Sequence, residues 1–195
     1  MTELQTATVG HHGFHERMRR GVHPADPRRL GSLVGLIGGV VFVLSYSAEL
    51  GSPWSVILSV LAVILAASCL WRLFLRPLPM GEPQRPHRLA GLIYLLAVAA
   101  MLGLISLGRT LLEGADRTDV LPAVIACVVG AHFAPFAVAF REPMLLRLAV
   151  AVGGVGLAGI VAAWLAGPPL GALAAVVAGF VQLGVILHWA LSSRS

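Results

Sequence analysis

Charge is what this sequence lacks first. Only 12% of its 195 residues are charged, against roughly 25% in a soluble domain, whose surface must face water. That shortage excludes a water-covered globule of this length. Lysine is missing altogether: all 14 basic residues are arginine, which reads as codon usage more than as function. The arginines flank apolar stretches instead of forming a patch on a domain. The net charge of +5 therefore argues for attraction to anionic lipid at the cytoplasmic face, and not for a nucleic-acid partner.

Cysteine is scarce as well. Cys69 and Cys127 lie inside apolar stretches and fit no CxxC or other ligand spacing, so they read as small buried apolar residues. Enzyme signatures are missing: no HExxH, no GxSxG elbow, no paired intramembrane aspartates and no Walker sequence. No catalytic residue, resident metal or cofactor is expected. The first 30 residues are polar and no secretory signal peptide is expected.

What the chain has is apolar length. Hydrophobic residues make up 57% of it. Six stretches, at about 31–49, 54–75, 89–108, 119–140, 144–167 and 170–191, suffice to cross ~30 Å of hydrocarbon at 1.5 Å per residue. The expected fold is all-α: a polytopic, six-helix transmembrane bundle over residues 31–191. An Arg/His-rich N-terminal segment, 1–30, should be cytoplasmic and disordered, and 192–195 should form a cytoplasmic tail. Twelve arginines flank the odd-numbered entrances and the C-terminus, whereas only Arg109 and Arg117 fall on the other side. The positive-inside rule then places both termini in the cytoplasm.

Connections follow from Gly and Pro. "GSPW" at 51–54 and "GPPL" at 167–170 predict tight outer turns, and "REP" at 141–143 a tight inner one. "RPLPMGEPQRPHR" at 76–88 predicts an extended inner strap, and 109–119 the longest outer loop, with Asp119 as N-cap of the fourth helix and Pro122 in its first turn. The first and last hairpins resemble each other in composition but not residue by residue, so no transporter-like repeat is inferred.

Lipid supplies no hydrophobic drive between helices, so small residues must let backbones approach. Candidate stripes are Gly31, Gly35 and Gly39; Gly154, Ala158, Ala162 and Ala166; and Gly171, Ala175 and Gly179 with Ala174 and Ala178 beside them. They are expected to pack within one bundle; the alternative is an interface with a second copy or another membrane protein.

Polar groups at membrane depth are costly and therefore informative. His132 lies nine residues before Arg141, about 13 Å from the inner boundary at helical rise. Gln182 lies at a similar depth. Pro135 withdraws an N–H from the Ala131 carbonyl and should kink the helix. His132, Pro135 and Gln182 thus form the candidate polar or substrate site, and the spacing allows a His132–Gln182 hydrogen bond. His188 and Trp189, with Trp54 and Trp71, read as interfacial anchors. Ser45, Tyr46, Ser47 and Glu49 read as solvated helix ends; with Arg109 and Asp119 they could instead line an outer vestibule. His11, His12, His15 and His23 share their segment with five arginines, which favours lipid over metal binding.

The stretch "GAHFAPFAVAF" at 130–140 resembles a G-x-H-F-x-P pattern in uncharacterised small bacterial multi-span membrane proteins. It covers about one span, and it implies a bacterial inner-membrane protein with a kinked helix but no activity. The expectation is a non-enzymatic accessory or structural membrane component. The alternative is a small transporter or channel-like protein using His132, Pro135 and Gln182. A cavity reaching that spot would favour the alternative, and a close-packed bundle the first reading.

Overall fold

The computed structural model describes residues 26–79 and 85–192. They form α1 (Pro27–Tyr46), α2 (Trp54–Leu70), α3 (Ala90–Gly114), α4 (Leu121–Phe140), α5 (Pro143–Ala166) and α6 (Leu170–Leu191). With short 3-10 and π turns attached, they make six helical spans of 22 to 25 residues, long and apolar enough to cross a membrane. The all-helical, multi-pass architecture read from the sequence is the one observed. Most of the N-terminal Arg/His segment, with its four histidines, lies outside the described residues, as does the end of the C-terminal tail.

Three boundaries differ from the sequence reading. First, α1 begins four residues early, at Pro27. The Asp26 carboxylate accepts from the Arg28 backbone N–H at 2.9 Å, and proline needs no N–H bond at the first helical position. Second, α3 runs to Gly114 instead of 108. Arg109 Nε donates to Glu113 at 2.7 Å across one helical turn, so the charged residues extend the helix beyond its apolar part. The expected long outer loop shrinks accordingly. Third, Asp119 is not an N-cap: it sits in a 3-10 turn, Thr118–Val120, paired with Arg117, and Val120 precedes α4. Pro122 does occupy the first turn.

Helix α6 is the centre. Of its apolar window 56% is buried, against 17% for the α2 span and 11% for α3. It packs on α1, α2, α4 and α5, and α3 docks against α4. The reason is side-chain size. Its buried face carries Gly171, Ala172, Ala174, Ala175, Ala178 and Gly179, so backbones can close on it from several sides. A methyl group added at Gly179 would sit 2.6 Å from the Gly39 carbonyl oxygen. The outward faces of α2 and α3 are leucine, isoleucine and valine, including Ile64, Leu95 and Leu102. Only lipid solvates such a surface favourably.

The α4–α5 interface is the broadest, and its glycine stripe is not the one expected. Gly154 and Ala158 face outward, and a methyl group at Gly154 would meet nothing within 4 Å. The packed face is instead Met144, Leu148, Val152, Gly156, Gly159 and Ala163. A Cβ at Gly156 would collide with the Cys127 backbone, and one at Gly130 with the Gly153 backbone. Small residues occur on several faces of α5, so spacing alone could not choose among them. Gly31 of the α1 stripe is likewise in open space, whereas Gly35 and Gly39 meet α6.

Candidate functional site

The structure separates Gln182 from the two residues grouped with it from sequence. His132 and Pro135 lie on α4, which continues unbroken past the proline. The His132 ring is half-buried, 4.3 Å from the Phe133 ring and edge-on to Phe136 at 5.1 Å. Phe136 in turn stacks on Tyr94 of α3, also at 5.1 Å. The imidazole therefore belongs to an aromatic seam between α3 and α4. Its Nδ1 bonds the Val129 carbonyl of its own helix. A carbonyl only accepts, so Nδ1 is the donor in this contact.

Gln182 serves a different contact. It is 1% exposed, and its Nε2 donates to the Gly35 carbonyl of α1 at 2.7 Å. Its Oε1 is buried without a hydrogen-bond partner. Gly38 leaves the room this side chain needs, since a Cβ there would lie 3.1 Å from Nε2. The His132–Gln182 bond is thus not formed, because each group is satisfied elsewhere: one by its own helix, the other by α1. Gln182 acts as a clamp between α1 and α6.

The remaining polar groups sit at the ends of the bundle. At one end, Arg29 is 1% exposed and donates to the Leu73 and Leu78 carbonyls, the latter at 3.0 Å. Sequence read it as one more topology charge; here it ties the start of α1 to the π turn, Trp71–Leu75, and to the strap after it. The far end of the strap is fixed by the His87 N–H on the Ala139 carbonyl at 2.8 Å. At the other end, Arg117 lies over the Trp164 ring at 4.6 Å and donates to the Ala163 carbonyl at 2.6 Å. A cation there meets the negative end of α5. Ser47 contacts Ser59 at 3.3 Å. Three of the residues proposed for a vestibule are thus taken up by separate local contacts, Ser47 with Ser59, Arg109 with Glu113 and Asp119 with Arg117. Ser47 is buried and not a solvated helix end, whereas Ser45 and Glu49 are exposed.

Two features escaped the sequence reading. Arg117 and Trp164 are 47 residues apart, and nothing local signals their contact. Trp189 is no interfacial anchor: it is 2% exposed and part of the core, whereas Trp54 and Trp71 are exposed as anchors would be. Among the described residues no three His, Cys, Asp or Glu side chains gather into a metal-binding group.

These elements define a multi-pass α-helical membrane protein whose interior is held by small-residue contacts and one buried amide. No protein-family model, curated protein or solved structure matches the chain.

Proposed function

We propose that this chain is a non-catalytic accessory or structural component of a bacterial inner membrane, with both termini in the cytoplasm. The observation that carries the reading is the state of its buried amide. Gln182 is closed between α1 and α6, where a methyl group at Gly39 would lie 3.1 Å from the Gly179 carbonyl. A conducting path needs polar groups that face water. His132 is held by its own helix among phenylalanines, and neither residue lines the groove between α5 and α6. Orientation rests on arginine: Arg28, Arg29, Arg72, Arg76, Arg141 and Arg147 lie toward one end, Arg109 and Arg117 toward the other. The outward Gly154, Ala158 and Ala166 support an interaction role, since such a stripe admits another membrane helix closely.

Reconstitution of the full chain into liposomes tests this. Proton and monovalent-cation flux should match protein-free vesicles. Flux above that background, abolished by His132→Ala, would overturn the reading in favour of a transporter.

A further inference from the structure

We propose that the groove between the start of α5 and the end of α6 is a binding site for one anionic phospholipid. It has a volume of about 330 Å³ and is lined by Met144, Arg147, Val181, Gly184, Val185 and His188, with Trp189 behind them. From Val181 to His188 it follows α6 for about 10 Å, from the helix end toward the hydrocarbon. Its walls are apolar along that length, and its two polar side chains, Arg147 and His188, come from the first two turns of α5 and the last turn of α6.

Arg147 decides the ligand's charge. Five arginines of the described chain are engaged, Arg28 with Asp26, Arg29 with the Leu73 and Leu78 carbonyls, Arg76 over Trp71, Arg109 with Glu113 and Arg117 with Asp119. Of the described arginines outside such contacts, Arg147 is the one that lines the groove. Arg147 is exposed and has no hydrogen bond, ion pair or ring contact among the described residues. No carboxylate lines the groove. A guanidinium at headgroup level, with an imidazole lining the same groove that can offer a ring N–H, matches a phosphodiester, which takes paired charge-assisted hydrogen bonds. Basic pockets between helices at the membrane boundary hold anionic headgroups in this way.

The groove is an open furrow of about 330 Å³ running about 10 Å along α6, room for an acyl chain lying along it beneath a headgroup held by Arg147. Gly184 keeps the groove open, since a Cβ there would meet nothing within 4 Å. The inference deepens the attraction of the Arg-rich face to anionic lipid and rests on that face lying at headgroup level. It does not depend on whether the protein transports.

The test is native mass spectrometry of the full-length protein extracted from vesicles of phosphatidylcholine and phosphatidylglycerol. The intact protein should retain one phosphatidylglycerol in preference to phosphatidylcholine. Arg147→Gln should reduce that adduct on the order of tenfold, the loss of a hydrogen bond to a charged group. Gly184→Leu should remove it by filling the groove while leaving thermal stability unchanged, which excludes misfolding as the cause. Retention of the preference in both variants would overturn the site while leaving general attraction to anionic lipid standing. No preference in the unmodified protein would overturn both. A disulfide-linked dimer through Val181→Cys would assign the groove to a second copy and overturn the lipid.

Discussion

Three glycines within one turn of α5 face different surroundings, and alanine at each should read them out. At Gly154 a methyl group meets nothing within 4 Å; at Gly153 it meets the α4 backbone at an ordinary 3.6 Å; at Gly156 it collides with the Cys127 backbone. Alanine is favoured over glycine inside a helix by about 1 kcal/mol, so Gly154→Ala should leave stability unchanged or raise it by up to that amount. Gly156→Ala gains the same propensity but must push α4 and α5 apart. Backbone atoms cannot rotate out of the way as a side chain can, so the overpacking cost belongs at the upper part of the usual range of roughly 1–3 kcal/mol. The net expectation for Gly156→Ala is a loss of about 1–2 kcal/mol, and the two variants should differ by about 2–3 kcal/mol. Reversible unfolding of the purified protein in mixed micelles with increasing SDS measures both. Equal stabilities, or Gly154→Ala as the weaker of the two, would refute the assignment of Gly156 to the helix contact. Ala158→Leu, on the outward face, should be neutral in the same assay.

Gln182 separates packing from hydrogen bonding. Its one bond to Gly35 should contribute only about 0.6 kcal/mol, the average for membrane interhelical bonds. Gln182→Met keeps the volume and removes the unpartnered Oε1, so unfolding in SDS should shift by less than about 1 kcal/mol, whereas Gln182→Ala opens a cavity and should cost at least about 2 kcal/mol. Equal losses would mean that the hydrogen bond dominates. Arg117→Gln removes the stack on Trp164 and the cation at the end of α5; together these should lower stability by about 1 kcal/mol, and no change would show an idle surface contact. For orientation, a single cysteine at Gly114, beyond which α3 ends, should react with an impermeant maleimide in intact cells. Protection there would invert the proposed topology.

Crossing the membrane was written in composition. Once charge falls to 12% and apolar runs reach 20 residues, helices are the way to satisfy every backbone group in lipid without a closed barrel. Proline and glycine set the turns for the same local reason: Gly51 and Gly167 adopt φ of 77° and 75° where chains reverse. The tight turn at 141–143 was likewise legible, although Arg141 itself takes a φ of 52° there. Helix faces were a different matter. α6 reads as a small-residue helix in either view, because its small residues concentrate on its buried side. α5 carries them all round, and which set meets α4 depends on Gly130 and Cys127 arriving from a different span. The fate of a deep polar side chain was equally non-local. Depth follows from counting residues along a helix, and it placed His132 and Gln182 near the midplane alike. Partners follow from rotation and packing, and these gave Gln182 to a carbonyl on α1 and left His132 to its own helix. Sequence alone thus determined that the chain spans a membrane and about where, since each span answers to lipid individually. Which faces meet was decided by tertiary structure, since every apolar face is equally at home in lipid and only close backbone fit distinguishes one from another.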